Sequence, residues 1–313
     1  MAALFRARML QKIVLMLILI ILPSGQALDY APGSHASDPQ EGGWMELEAK
    51  IMIPAPAAGE NGSWTYPFRA YPAYQENESI SGTYWGNRSL AGVNASLCIS
   101  AFGMSDFLSA LGILNQSVNL TPQGPQVLLN GTGDAAFRLQ GRRMGLYTLY
   151  LLDDLNLTVL SAAPLLITRG GLEVELPENL SAGQIIKVGL NASGPAGNYT
   201  LAALMLPLDS YSSSTLALFG NGTRENLTAQ LTISNQSIQL QGLPEGYEQL
   251  LNQILSILPE NSSAAVQESP RPQAKLYLLT DPDWQKGKYM LICAIYASGQ
   301  GIVAIRQSII EVV

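Results

Sequence analysis

A chain of 313 residues is long enough for two domains of about 100 to 150 residues, each burying its own core. Hydrophobic residues make up 47% of it and charged ones only 13%, roughly half the ~25% usual for soluble domains, so something other than charge must keep the surface wet. The formal charge of −7, with no basic block beyond the lone pair Arg142-Arg143, excludes a nucleic-acid-binding surface.

Residues 1–27 read as a secretory signal peptide. Arg6, Arg8 and Lys12 precede an apolar run from Ile13 to Leu22, and Pro23-Ser24-Gly25-Gln26-Ala27 supplies small residues for cleavage after Ala27. The alternative is an uncleaved anchor, which would be the chain's one tie to a membrane. The apolar run is short for a span of about 18 residues. Cleavage removes three basic residues and no acidic one, moving the formal charge from −7 to −10. Residues 28–43, rich in Pro, Gly, Ser and acids, form a flexible lead.

A first repeat is expected over 44–169. Its strand candidates are Glu46 to Pro54, Thr65 to Tyr71 (held to an edge by Pro67 and Pro72), Ile80 to Asn87 and Ala95 to Phe102. A short helix, Ser105 to Leu114, follows with Ser105 as N-cap. Val118 to Leu120, Val127 to Leu129, Ala135 to Leu139 and a hairpin at 145–168 complete the repeat. After the short junction Arg169-Gly170-Gly171, a second repeat covers 170–313, opening with strands at Leu172 to Leu176, Ile185 to Leu190 and Tyr199 to Leu206. Pro244 to Leu258 places Tyr247, Leu250, Leu251, Ile254, Leu255 and Leu258 at helical spacing, an amphipathic helix inserted in this repeat. A loose stretch to about Pro272 is expected behind it.

The duplication rests on two hairpins. Gly145 and Tyr147 align with Gly287 and Tyr289; in each case Gly-x-Tyr opens an apolar run, a polar break follows, and a second apolar run returns. An early tyrosine in a late strand resembles the tyrosine corner of immunoglobulin-like sandwiches, where the hydroxyl bonds to the backbone upstream. The expected fold is therefore mainly β: two tandem immunoglobulin-like antiparallel β-sandwiches, with a short helix in the first and the amphipathic helix in the second.

Asparagine usage carries most of the functional information. Fifteen of 16 Asn lie in Asn-x-Ser/Thr: Asn61, Asn77, Asn87, Asn94, Asn115, Asn119, Asn130, Asn156, Asn179, Asn191, Asn198, Asn221, Asn226, Asn235 and Asn261. With 40 Ser and Thr in the chain, chance supplies about two such triplets. Turn preference explains Asn-Gly at 61, 130 and 221, yet not the hydroxyl two places on almost every time. The exception, Asn252, falls inside the predicted helix. N-glycans are bulky and hydrophilic, so they can supply the wetting that charge does not.

Cys98 and Cys293 stand in apolar strands at non-equivalent positions of the two repeats, whose partners are Ala202 and Leu151; they read as buried small hydrophobes rather than an interdomain disulfide. Many acceptors with almost no cysteine point to an archaeal envelope. The single His35 sits in the lead, away from any site a triad or metal cage could use. Asp153-Asp154 and Asp281-Pro282-Asp283 could touch calcium but are better read as turn formers. No catalytic residues, metal site or cofactor are expected.

Ile80 to Ile99, Asn198 to Tyr211, Asn221-Gly222-Thr223 and Gly287 to Tyr296 resemble a tandem domain family of secreted and cell-surface proteins of methanogenic archaea, over about residues 60–313. The resemblance implies location and architecture, with no activity to transfer. The sequence thus leads to a non-catalytic, N-glycosylated extracellular or cell-envelope protein with a structural, spacing or adhesion role among other surface proteins. The alternative is a module binding glycan or peptide through Trp64, Tyr66, Tyr71, Tyr74, Trp85 and Trp284; an envelope hydrolase comes third.

Overall fold

The computed structural model describes residues 44–47, 64–67, 73–101, 124–156, 159–219, 228–234, 236–241, 256–298 and 300–313. The signal segment, the lead, the helix expected at 105–114 and nearly all of that expected at 244–258 lie outside the described residues. Among the described residues no helix is long and apolar enough to cross a membrane.

The chain is mainly β, and among the described residues its strands fall into five sheets. One sheet, in the order β1 (Trp44–Leu47), β4 (Ile80–Trp85), β7 (Ala135–Leu139), faces another in the order β3 (Ala73–Gln75), β9 (Val159–Thr168), β8 (Gly145–Asp153), β5 (Asn94–Ala101), β6 (Gln126–Leu128). Ile80, Tyr84 and Phe137 from the first meet Leu97, Leu149, Leu151, Leu165 and Ile167 from the second in one buried cluster. A second pair repeats the plan. The sheet β10 (Leu172–Glu175), β11 (Ile185–Ala192), β17 (Gln273–Leu279) lies against β16 (Ser263–Ser269), β12 (Tyr199–Pro207), β18 (Gly287–Ala297), β19 (Gly301–Val312). Val188, Leu276 and Leu278 meet Leu201, Met205, Leu291, Cys293 and Ile295 in a separate core.

The central strands explain why the hairpins read as unbroken apolar runs. In β8 every residue from Thr148 to Asp153 is buried, and in β18 every residue from Tyr289 to Ile295. A half-buried strand alternates, whereas one covered on both faces does not. Leu149 and Leu151 face the core while Tyr150 and Leu152 are buried on the other side.

Strand pairing corrects several expectations. β3 runs parallel to β9, so the first sandwich is not antiparallel throughout. The cause is topological: β3 must run toward the end where β4 begins, and β9 runs toward that same end. The stretch expected to be loose before Pro272 contains β16, hydrogen-bonded to β12 from Tyr199↔Ser269 to Met205↔Ser263. β12 and β16 flank an insertion holding α1 (Leu208–Ser213), β13 (Thr215–Phe219), β14 (Thr228–Ile233) and β15 (Gln236–Gln241). β2 (Trp64–Pro67) is an edge strand as Pro67 requires, but it pairs with β13 of that insertion. Register also shifts one equivalence. Ala101 stands opposite Tyr147 and Pro207 opposite Tyr289, which matches Cys98 to Leu204 rather than to Ala202.

At the junction Arg169 donates its N–H to Val303 O at 3.0 Å and its guanidinium to Gln300 Oε1 at 2.7 Å. Met144 packs against the second core. Both Arg169 bonds thus reach the β18–β19 hairpin of the second sandwich.

Tyr147 and Tyr289 are each the third residue of their strand. Their hydroxyls donate four residues back, to Arg143 O at 2.9 Å and Gln285 O at 2.8 Å. Gly145 leaves room for the ring, since a Cβ there would meet Tyr147 carbons at 3.1 Å and 3.3 Å, and Gly287 has φ +149, a conformation reserved for glycine. The two sites differ in burial: Tyr289 is buried, Tyr147 only half-buried. The indole of Trp284 stacks on Tyr289 with centroids 5.3 Å apart, and the residue at the same offset before Tyr147 is Arg142. Tyr289→Phe is therefore expected to lower unfolding stability by about 1 kcal/mol, because the part-buried bond to Gln285 O is lost. Tyr147→Phe should lower it less; an equal or larger loss at Tyr147 in denaturant unfolding would contradict the burial difference.

Candidate functional site

Nine of the fifteen acceptor asparagines lie within the described residues. Asn77, Asn94, Asn130, Asn156, Asn179, Asn191 and Asn198 are exposed, Asn87 and Asn261 are partly exposed, and none is buried. Asn61, Asn115, Asn119, Asn221, Asn226 and Asn235 lie outside them, as does Asn252. The exposed positions follow from the fold. Strands buried on both faces have no space for a polar branch, so the acceptors collect at strand ends and turns.

Register gathers four of them at one end of the first sandwich. Asn87 follows β4, Asn94 heads β5, Asn130 lies in the turn before β7 and Asn156 in the turn after β8. The pairs Tyr84↔Ala135 and Ala95↔Asp153 bring these segments to the same end. Asn130 Oδ1 accepts from the backbone N–H of Thr132 and of Asp134, both at 2.9 Å. The Thr132 hydroxyl sits 2.6 Å from that oxygen and 2.5 Å from Asp134 Oδ2. Asp134 Oδ1 takes the N–H of Gly86 at 2.9 Å, joining the two loops. In the second sandwich Asn191 Nδ2 donates to Glu173 Oε2 at 2.9 Å across β10 and β11.

Asp153 closes the β8–β9 turn. Its carboxylate accepts from Leu155 N at 2.8 Å, Asn156 N at 3.2 Å and Asn156 Nδ2 at 2.7 Å. Burial pushes the carboxyl up, but the bonds from the Asn156 amide and from the two backbone N–H groups together outweigh it and hold it below the ordinary aspartate value. A glycan at Asn156 would use one of the two amide hydrogens and leave the other for Asp153. Asp281 likewise serves a turn, its carbonyl accepting from Gly183 at 3.0 Å and Trp284 at 3.1 Å. Among the described residues no three His, Cys, Asp or Glu side chains group as metal ligands.

Because the folded carboxyl of Asp153 titrates below the unfolded one, its stabilisation is complete at neutral pH. It fades as acid reaches the unfolded aspartate range near pH ~4 and is gone below the folded value. Asp153→Asn should thus be less stable than the wild type at pH 7 and converge with it in acid, checked by denaturant midpoints across that range.

Cys98 and Cys293 are buried, and neither is in a disulfide. Burial pushes the Cys293 thiol up to about 12, with Arg306 on the neighbouring strand offsetting only part. An aromatic disulfide reagent at pH 8 is expected to leave Cys293 unmodified until the chain unfolds; prompt labelling of the native protein would count against so closed a core.

The aromatic residues considered for ligand binding are scattered. Tyr74 belongs to the first core and Trp284 is buried on Tyr289, so both are removed from that set by packing. Trp85 is 40% exposed. Trp64 and Tyr66 lie on β2, and Tyr71 is outside the described residues. Sequence reasoning missed the exposed Tyr277, which with Ile185 and Leu279 forms an apolar cluster at one end of the outer β11–β17 face. It also missed Tyr199, whose hydroxyl donates to Pro195 O at 2.8 Å and repeats the four-residue link at the head of β12. The turn Gly194-Pro195-Ala196-Gly197 just before a tyrosine was the available signal. A cleft of about 310 Å³ beside β5 is lined by Leu97, Ile99, Pro125 and Arg142 among others and gathers no ionisable pair.

No protein-family model matches the chain, and no curated protein matches it. Among solved structures it is similar to red sea bream transglutaminase, at 9% identity and a TM-score of 0.29, over 82% of this chain and 32% of that one. The FN1–FN3 domains of chicken CNTN1 are similar at 9% identity and a TM-score of 0.21, over 77% of this chain and 64% of theirs. The chain spans about a third of the first and just under two thirds of the second. At such scores the fold has to be read from this chain's own strand order.

Proposed function

We propose that this is a non-catalytic, heavily N-glycosylated protein of the cell exterior, a spacer or adhesion element built from two tandem immunoglobulin-like sandwiches. The observation that carries it is the placement of the acceptors: in both sandwiches every described Asn of an Asn-x-Ser/Thr triplet is exposed or partly exposed, as a bulky hydrophilic branch requires. Tandem organisation is supported by the equivalence of β4, β7, β5, β8 and β9 with β11, β17, β12, β18 and β19, each set enclosing a core of its own. The order β1-β4-β7 against β9-β8-β5 and the tyrosine links support an immunoglobulin-like reading of each sandwich. The charged start and short apolar run support secretion, and the resemblance to surface proteins of methanogens supports an archaeal envelope.

A contact role for one face is supported by the exposed cluster of Ile185, Tyr277 and Leu279. The same cluster favours the second reading, a module that binds glycan or peptide, because an exposed tyrosine beside aliphatic side chains and Lys187 can stack on a sugar or backbone. Glycopeptide mass spectrometry of the protein from its own cell discriminates. Sugar at most of the acceptors, with a mature chain beginning at Leu28, is the expected result. A sugar-free native protein would remove the glycoprotein reading and move the binding module ahead.

A further inference from the structure

We propose that Asn94 and Asn198 acquire their sugars before β5 and β12 enter their sheets, so that transfer at these two acceptors has to precede folding; the inference rests on the glycoprotein reading above. An Asn-x-Ser/Thr acceptor presents two groups to its transferase, the amide nitrogen that is modified and the hydroxyl two residues on. In the folded chain these groups are parted. Asn94 heads β5 and Asn198 immediately precedes β12, and both are exposed. Ser96 and Thr200 are inside, 3% and 1% exposed. Each is held between neighbours on both sides: Ser96 stands opposite Gln126 of β6 and Leu152 of β8, Thr200 opposite Glu268 of β16 and Tyr296 of β18. β5 and β12 are equivalent strands, and each has such an acceptor near its head, the two lying two residues apart in the matched register.

Thr200 adds a second observation. Its Oγ1 is buried with no hydrogen-bond partner, and an unmatched hydroxyl of this kind burdens the fold without structural return. As the third residue of an acceptor the hydroxyl has a use, and that use falls before the strand is covered. Thr148 on β8 has a similarly unmatched hydroxyl with no acceptor ahead of it. It is therefore the combination of exposed Asn and buried hydroxyl at both strand heads that carries the inference. Asn130-Gly131-Thr132 is the contrast, all three residues being exposed.

Transfer forms a bond between Asn Nδ2 and the anomeric carbon of a saccharide carried on a lipid phosphate. The anomeric carbon–oxygen bond breaks, the lipid phosphate leaves, and the displaced amide proton goes to a base of the transferase. The finished product fits the fold, because the branch projects from an exposed Asn. The reaction does not, because the hydroxyl that must be recognised lies within a strand paired on both edges.

The test uses transferase-bearing membranes from the source cell, supplied with lipid-linked saccharide. They are given either the folded, sugar-free chain or peptides spanning 88–101, 126–138 and 193–206. Modification of Asn94 and Asn198 in the folded chain should be slower than in the peptides by more than about tenfold, since a central strand would have to open first. Asn130 should differ far less between its two forms. Equal rates in folded chain and peptide at Asn94 or Asn198 would overturn the inference, as would an equal slowing at Asn130. Native protein without sugar would instead defeat the glycoprotein reading, whereas native sugar at Asn94 with rapid transfer to the folded chain defeats this inference alone. Thr200→Val gives an independent check: the sugar at Asn198 should disappear while the melting temperature does not fall. A lower melting temperature would assign the hydroxyl to the fold and contradict the proposal.

Discussion

The burial of β8 and β18 on both faces is the constraint from which the rest of the structure follows. A fully buried Leu, Ile or Met contributes about 1.5 to 3 kcal/mol relative to exposure, and each of these strands carries several in succession. Such a strand has no room for a branch, carries a charge only at its end where turn N–H groups meet it, as at Asp153, and cannot slide by one residue without exchanging two different sets of neighbours. Its start has to be fixed, and the hydroxyls of Tyr147 and Tyr289 fix it by bonding to carbonyls four residues back, just outside the sheet. Its far end has to turn without exposing polar backbone, and in the first sandwich Asp153 collects the turn's N–H groups.

Pushing polarity out of the central strands concentrates it at the ends. The acceptors appear there for the same reason as the turns do. With only 13% charged residues, solvent-screened surface pairs worth about 0 to 1 kcal/mol each cannot do much for either stability or solubility. On the proposed glycoprotein reading, sugar at the strand ends would supply hydration where Leu128 and Leu155 are 65% and 88% exposed, and Leu128 stands directly opposite Asn94. The junction follows the same economy, since Arg169 both continues the chain and ties it to the β18–β19 turn.

The sequence revealed the parts of the fold whose physics is local. β8 and β18 were visible because burial on both faces leaves long apolar runs and Gly-x-Tyr marks where they start, and β9 and β19 were visible as the apolar returns that follow them. β11 was visible through its alternation, and β12 through its apolar run and the turn between the two. β16 was not, because its burial is intermediate along most of its length and SAAVQES shows no period of two. TAQLTI and QSIQLQ of β14 and β15 are polar enough to pass for loop. The pairing of β2 with β13 joins residues some 150 positions apart, and no local pattern encodes such a contact. At the acceptors, the triplets were plain in the sequence while the burial of Ser96 and Thr200 was not. That difference comes from which strands flank β5 and β12, and only the sheet order contains it.

The central claim is that sugars rather than charges keep this apolar chain dispersed, and sedimentation velocity tests it most directly. The native protein, bearing its glycans, should remain monomeric at neutral pH across a wide concentration range. The same chain made without sugar should keep its β-sheet circular dichroism yet self-associate at concentrations where the native form does not. A sugar-free chain that is as well folded and as monomeric as the native one would contradict the claim.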